Sequence, residues 1–235
     1  MCGIIAYTGE GDVRKILHSG LKQLEYRGYD SSGIALQNLT GNIQTSKVVG
    51  SVNKLKTKTA KFVATSGIGH TRWATHGSPL LKNAHPIESS SKSISLVHNG
   101  IIENYAELKS KLQKKGVHFH TDTDTEVLAN LIDSFLTART SIENALSKAI
   151  KLTTGAYTVA VISNKHPGKI VFARTGYAGG IIVAKNGTST IIASDIAAIT
   201  NNNYSMTFLE AGEMGVALNN AVSFFNLKGK KISKK

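Results

Sequence analysis

The sequence predicts an α+β fold in which antiparallel sheets are covered by helices. One strand and one helix come first, several strands and three helices follow, and the last third of the chain is rich in strands. Because strands do not alternate one for one with helices, a doubly wound parallel sheet is disfavoured. A length of 235 residues, 41% of them hydrophobic, suffices for one sizeable core.

The first elements follow from local patterns. Residues 3–7 are an apolar run typical of a buried strand, and Asp12 can cap a helix whose apolar residues recur at helical spacing as far as Leu24. Further patterns predict strands over 33–37, 43–49, 66–73 and 94–99, with a turn at 40–42 and a loop over 77–93.

Three helices are predicted next, over 103–115, 123–138 and 141–151. Gly116 suits the position just after the first of them. The second opens with T-D-T-E, which indicates a capping box with Thr123 as N-cap and Glu126 three positions later.

Strands dominate the rest of the chain. They are predicted over 156–163, 169–174, 180–185, 189–194, 206–209, 213–218 and 222–227. Lys228-Gly229-Lys230 would turn the last hairpin. With no internal linker or repeat, residues 2–227 are predicted as one domain, followed by a basic tail over 228–235.

The bulk composition excludes several classes of protein. No apolar run approaches the ~18–20 residues of a membrane span, and the N-terminus lacks the basic segment of a signal peptide. The single cysteine allows no internal disulfide, so we expect a cytoplasmic protein without a membrane partner. The net charge is +13, but the lysines are scattered and only 6% of residues are aromatic, so we expect no specific nucleic-acid partner.

Cys2 is the first candidate for catalysis. Removal of Met1 would leave a free α-amine, whose reference pKa of about 7.7–8.0 lets it take a proton near neutral pH. One residue could then supply both nucleophile and base. The alternative is a buried structural cysteine at the head of a strand.

A second cluster is H-T-R-W-A-T-H-G, over 70–77. Arg72 suits bidentate capture of a carboxylate, although an internal ion pair would use it equally well. His70 and His76 could act as bases or ligands or be structural, and Trp73 could belong to the core or to a site.

Two later segments carry further candidates. In H-N-G-I-I-E-N-Y, over 98–105, the Asn99 side chain and the Gly100 N–H could form an oxyanion hole or only an ordinary turn. In T-D-T-D-T-E, over 121–126, Asp124 could bind an ammonium group or simply suit the helix dipole.

No metal or organic cofactor is predicted. A calcium loop starting at residue 122 would need glycine at Val127 and glutamate at Asp133. His118 and His120, with one cysteine, are too few for a convincing zinc site. The Gly-containing segment over 8–14 lacks the third glycine of a dinucleotide loop.

Taken in order, these segments resemble the glutaminase domain of the glutamine–fructose-6-phosphate aminotransferase family. The matching segments are C-G-I-I at 2–5, L-E-Y-R-G-Y-D-S-S-G-I-A at 24–35, H-T-R-W-A-T-H-G at 70–77, N-A-H-P at 83–86, H-N-G-I-I-E-N-Y at 98–105, T-D-T-E at 123–126, G-A-Y at 155–157, A-S-D at 193–195 and F-L-E-A-G-E at 208–213. They cover essentially the whole chain. Y-R-G-Y-D and R-W-A-T-H-G distinguish this family from other N-terminal-nucleophile amidotransferases.

The resemblance implies a four-layer αββα sandwich of the N-terminal-nucleophile hydrolase type, and roles for the matched residues. It implies Cys2 as nucleophile with its α-amine as base, and Asn99 and Gly100 as the oxyanion hole. Arg72 and Asp124 would hold the α-carboxylate and α-ammonium of glutamine. Completing the pocket would be Trp73, Thr75 and His76, with Arg27 and His85 as supporting residues.

The function that the resemblance implies is hydrolysis of glutamine to glutamate and ammonia, with the ammonia used to make glucosamine 6-phosphate. Family members carry a second, sugar-isomerising half; this sequence ends at Lys235, so we expect that half to be missing or a separate partner. The alternatives are the glutaminase of another amidotransferase and a glutamine-binding regulatory module with little turnover. Residues 176–181, G-Y-A-G-G-I, depart from the family's G-S-P-L-type turn.

Overall fold

The computed structural model describes residues 2–55, 62–73, 78–200 and 203–234. Its α-helices are α1 (Val13–Gln23), α2 (Tyr105–Gln113), α3 (Asp124–Phe135) and α4 (Ile142–Ile150). Its strands are β1 (Gly3–Gly9), β2 (Ser31–Gln37), β3 (Ile43–Val49), β4 (Ser66–Arg72), β5 (Ile87–Glu88), β6 (Ile94–Gly100), β7 (Tyr157–Ser163), β8 (Lys169–Thr175), β9 (Ile182–Lys185), β10 (Ser189–Ala193), β11 (Ser205–Phe208), β12 (Glu213–Leu218), β13 (Ala221–Asn226) and β14 (Lys231–Ile232). Within these described ranges, no helix has both the length and the apolar character needed to cross a membrane.

The strands form two seven-stranded sheets. Sheet A has the order β11-β9-β10-β1-β4-β2-β3, and sheet B has the order β14-β13-β12-β8-β7-β6-β5. Neighbouring strands in both sheets run antiparallel. The antiparallel arrangement predicted from the order of elements is therefore confirmed.

The two sheets face each other, and the helices cover their outer faces. Alternate residues of β1 point in opposite directions: Ile5 packs with Leu17 beneath α1, whereas Ile4 packs with Phe172 of the facing sheet. A third cluster joins sheet B to α2, α3 and α4. The result is a four-layer αββα sandwich whose central strands are buried on both faces, which explains their nearly continuous apolar runs.

A buried glutamine joins the two sheets at one end. The Gln37 side chain, at the end of β2, donates to the Ser163 carbonyl oxygen at 2.7 Å. Its own oxygen accepts hydrogen bonds from Ser66 Oγ and the Gly168 N–H, each at 3.1 Å. Because this amide is fully buried and its partners come from both sheets, it links them without leaving a polar group unsatisfied.

The predicted capping box at the start of α3 is wrong. Thr123 is the N-cap residue by position, but its side chain makes no capping bond; its hydroxyl lies 2.8 Å from Thr121 Oγ1. Glu126 instead accepts hydrogen bonds from the backbone N–H groups of His120 and Thr121. The carboxylate therefore fastens the loop before the helix.

Other predicted element boundaries agree with the structure at some positions and differ at others. Asp12 caps α1 by accepting the Lys15 N–H at 3.0 Å, as expected. Helix α3 ends earlier than predicted because Leu136 leaves the helical conformation, with φ −84° and ψ 88°. Strand β5 lies within the segment predicted as a loop, and β14 lies within the predicted basic tail, where it pairs with β13. These two-residue strands are too short to show a pattern in the sequence.

Candidate active site

One cleft forms where strands of both sheets end. Cys2 precedes β1 and Arg72 ends β4, both in sheet A, whereas Asn99 and Gly100 end β6 of sheet B. Asp124 is the first residue of α3. Segments that lie far apart in the chain thus meet at one edge of the sandwich.

Six of the residues singled out in the sequence line a single cavity of about 40 Å³. They are Cys2, Arg72, Trp73, His85, Gly100 and Asp124. Four larger hollows, of about 640, 640, 570 and 270 Å³, lie elsewhere, and the residues that line them include no cysteine. The small cavity is the candidate active site because it combines a thiol with groups of opposite charge.

The Cys2 thiol lies against the backbone of Trp73. The Trp73 N–H donates to Cys2 Sγ at 3.3 Å, and Sγ lies 3.4 Å from the Trp73 carbonyl oxygen. Burial raises the pKa of the Cys2 thiol, while the Trp73 N–H opposes this shift. The thiol is therefore protonated at neutral pH, and a nucleophilic role would require a base.

Asn99 reaches the same residue from the facing sheet. Its Nδ2 donates to the Cys2 carbonyl oxygen at 3.0 Å. Gly100 follows with φ +121°, and a Cβ there would lie 2.4 Å from the Ala156 carbonyl oxygen. Glycine is the residue that fits this conformation and this close approach.

Arg72 and Asp124 bring opposite charges to the cleft, and each is about 95% buried. Arg72 Nη1 donates to the Ser78 carbonyl oxygen at 3.3 Å, and Asp124 Oδ2 accepts the Ile102 N–H at 2.8 Å. Burial lowers the pKa of Arg72, and the charges of Cys2, Asp30 and Asp124 oppose that shift. A guanidinium remains charged in any protein, so the cleft retains a fixed positive group.

The remaining predicted residues lie in different places. The Trp73 ring is 45% exposed and tilts against Tyr29, with ring centroids 5.6 Å apart. Arg27 forms an ion pair with Asp195 and is not among the residues described as lining the cavity. Thr75 and His76 fall outside the described residues.

Three cavity-lining residues were not predicted as site residues: His98, Thr123 and Thr125. His98 Nδ1 and His85 Nε2 lie 3.0 and 2.9 Å from Thr125 Oγ1. Thr125 directly follows Asp124, which was predicted as a site residue, and this position is the signal in the sequence that could have indicated Thr125. Within the described ranges, no group of three or more His, Cys, Asp or Glu side chains is arranged to hold a metal ion.

Three buried histidines adjoin the cleft: His85 and His98 line it, and His70 lies behind it. Burial lowers the pKa of His70 to about 3, lowers that of His85 well below 6.5, and lowers that of His98 against the opposing effect of Asp124. The His70 and His85 rings stack with centroids 4.4 Å apart. All three rings are therefore neutral at pH 7, and this layer adds no charge to the cleft.

Solved structures identify the class of this fold. The chain superposes on glutamine phosphoribosylpyrophosphate amidotransferase from B. subtilis with a TM-score of 0.82 and 23% identity, over 96% of this chain and 49% of that one. It matches a structure described as the allosteric regulatory enzyme of purine biosynthesis with a TM-score of 0.85 and 24% identity, again over 96% and 49%. The αββα sandwich of this chain is thus the fold that these two solved structures share.

The sequence then identifies the family. Residues 70–201 match the family described as "Glutamine amidotransferase domain", and the chain belongs to that family. It is 42% identical over 236 residues to glutamine–fructose-6-phosphate aminotransferase [isomerizing] of Clostridium acetobutylicum, and 44% identical over 223 residues to that of Chlorobaculum tepidum. The alignments span 100% and 92% of this chain but 38% and 36% of those enzymes.

The neutral histidines make stability depend on pH. Below pH 6.5 the unfolded chain binds a proton at His70 that the folded chain, with a pKa of about 3, does not bind. The contribution of neutral His70 to the free energy of unfolding is therefore fully present above pH 6.5 and is lost as the pH falls towards 3. We expect the protonation of His70 alone to lower the free energy of unfolding by about 2 kcal/mol between pH 6.5 and 5. His85 and His98 should lower it further.

Urea unfolding followed by circular dichroism at pH 7.5, 6.0 and 5.0 measures this loss. The variant His120→Gln is the matched control, because it removes an exposed histidine and leaves the buried histidines in place. An unfolding free energy that stays constant from pH 7.5 to 5.0 would contradict the neutral-histidine layer.

Proposed function

We propose that this chain hydrolyses glutamine to glutamate and ammonia, with Cys2 as the nucleophile. The observation that carries the proposal is the meeting of the thiol with the buried Arg72–Asp124 pair in one cleft. Glutamine differs from glutamate only at its amide end, so its zwitterionic end is what a site can recognise in both. A guanidinium and a carboxylate are complementary to that end.

The α-amine of Cys2 supplies the base. Once Met1 is removed, this amine takes the thiol proton. A base is needed because burial raises the pKa of the thiol, which is therefore protonated at neutral pH. The sulfur then bonds to the amide carbon and the C–N bond breaks, so ammonia leaves with the transferred proton. Water cleaves the resulting thioester, which releases glutamate and restores the thiol.

Asn99 and Gly100 stabilise the oxyanion of the tetrahedral intermediates. The Asn99 Nδ2 carries two hydrogens, and the Cys2 carbonyl takes one of them. The second is available to an oxyanion formed beside Sγ. The Gly100 N–H, from the next residue of the same strand end, is the second donor.

The free N-terminal cysteine should be essential. We expect chain beginning at Cys2 to convert glutamine to glutamate, and both Cys2→Ala and chain retaining Met1 to lose this activity, because they lack the nucleophile and the base respectively. Glutamate release is assayed after mass spectrometry has verified each N-terminus. Full activity in chain that retains Met1 would refute the role of the amine. Glutamine binding without turnover in chain starting at Cys2 would favour the alternative of a regulatory module.

Arg72 and Asp124 should govern substrate binding more than chemistry. We expect Arg72→Ala and Asp124→Asn to raise KM for glutamine, with a loss of roughly 2–5 kcal/mol where a buried charge is left without its partner. Asp124→Asn retains an oxygen that can accept the Ile102 N–H, so its effect reports the charge. Steady-state kinetics are compared with Arg139→Ala, a change at an exposed residue. An unchanged KM in both variants would rule out this assignment.

We further propose that the ammonia serves amino-sugar synthesis. The relatives are named for an amination of fructose 6-phosphate, and this chain spans 38% of the Clostridium acetobutylicum enzyme. The residues to which we assign chemistry lie between positions 2 and 124, so glutamine hydrolysis requires none of the remaining length of those relatives. A sugar-isomerising domain or subunit would act on the phosphate sugar.

The acceptor is tested by supplying both substrates. We expect the purified chain, given glutamine and fructose 6-phosphate, to form glutamate but no glucosamine 6-phosphate, because the sequence holds no phosphate-cradling loop. The two products are quantified separately. When the sugar-isomerising part of a relative is added, we expect glucosamine 6-phosphate to form. Amino sugar made by the chain alone would overturn this division of labour.

A further inference from the structure

His70 lies between the two sheets, directly behind the cleft. It is on β4 of sheet A and 1% exposed. Its Nε2 lies 2.9 Å from Asn99 Oδ1 and 3.1 Å from the His98 carbonyl oxygen, both on β6 of sheet B. One ring nitrogen thus contacts the side chain of the proposed oxyanion donor and the backbone just before it.

The His98 carbonyl determines which atoms carry hydrogen. A carbonyl oxygen can only accept, so the His70 nitrogen beside it must be an N–H donor. The Asn99 atom that faces the same N–H must then be the amide oxygen, because an NH₂ group there would set donor against donor. The orientation of the Asn99 amide, which its shape alone does not define, follows from this contact.

The other end of the amide meets Cys2. With Oδ1 held by His70, Nδ2 is directed to sheet A, where it donates to the Cys2 carbonyl at 3.0 Å. An inverted amide would place its oxygen against that carbonyl and would present an acceptor to the oxyanion. The His70 hydrogen bond therefore keeps a donor on the reacting side.

The surroundings of His70 hold its ring in this state. Stacking on His85, with an interplanar angle of 27°, fixes the plane of the ring. Nδ1 is buried and has no hydrogen-bond partner in the described part of the chain, which suits a bare lone pair better than an N–H that would need an acceptor. Burial also opposes a second proton, because it lowers the pKa of His70 to about 3.

We propose that His70 is a positioning residue for the reaction: as the Nε2–H tautomer, it orients the Asn99 amide so that Nδ2 serves the oxyanion. This inference rests on the proposed glutaminase function and adds a residue that acts through Asn99. His70 is not among the residues that line the cavity. Its effect should therefore appear in turnover, since orientation of a donor matters most when the oxyanion has formed.

Two substitutions of the same chemical type separate positioning from packing. A glutamine side chain places its amide near the Nε2 position, where the His98 carbonyl selects its N–H, whereas asparagine is one methylene shorter and falls short. We expect His70→Asn to lower kcat at least about tenfold with KM within about twofold, and His70→Gln to stay within about threefold of the wild type. His166→Asn, in the turn before β8, is the matched control.

A double-mutant cycle then tests whether His70 acts through Asn99. Asn99→Ala should lower kcat by about 10²–10³-fold, and adding His70→Asn to it should change kcat by less than about twofold. The chain has one cysteine, so the rate of alkylation by iodoacetamide reports the state of Cys2 in every variant. That rate should match the wild type.

The outcomes separate this inference from the function on which it rests. No glutamate from wild-type chain beginning at Cys2 would defeat the proposed function itself. Active wild type with unaffected His70→Asn would overturn the positioning role. The role would also be overturned by equal losses in both His70 variants, or by a His70→Asn loss that persists in the Asn99→Ala background.

Discussion

The pairing of β1 with β4 is the constraint on which the cleft depends. Gly3 lies opposite Thr71, and a Cβ on that glycine would lie 2.6 Å from Thr71 Oγ1 and 2.7 Å from Leu24 Cβ. Without a side chain, β1 can lie close to both neighbours and set Cys2 Sγ beside the Trp73 backbone. A slip of one residue would exchange the β1 side chains that pack beneath α1 with those that pack against sheet B, so the packing of two cores holds the thiol in place.

The distribution of charge follows from the same layering. Arg72 and Asp124 carry buried charge at the wall of the cleft, where a zwitterion would satisfy both in place of water. The three buried histidines next to them are neutral because burial disfavours their charged forms. A positively charged ring in that layer would repel Arg72 and weaken Asp124 as a partner for an ammonium group. The neutral histidines between the sheets can thus hold neighbouring side chains by hydrogen bonds without adding charge to the cleft.

Local signals in the sequence predicted most of the elements, and six of the site residues predicted from the ordered motifs line the cavity. What they could not predict depends on contacts between distant segments. Arg27 pairs with Asp195, 168 residues away in the sequence. The bridge from His85 through Thr125 to His98 requires the two sheets and α3 to be assembled. The capping box failed for a similar reason, because the preceding loop offers Glu126 other donors.

Gln37 has a mechanical consequence when it is considered together with Asn99. The Gln37 amide connects the sheets at the end far from the cleft, and the Asn99 amide connects them beside it. Two facing sheets that are fastened at both ends cannot shear past one another without breaking buried hydrogen bonds, and each such break would cost about 1–3 kcal/mol. The sandwich therefore behaves as a rigid frame. Because both ends of the sandwich are fastened in this way, the strands that carry the thiol and its partners stay in register with one another.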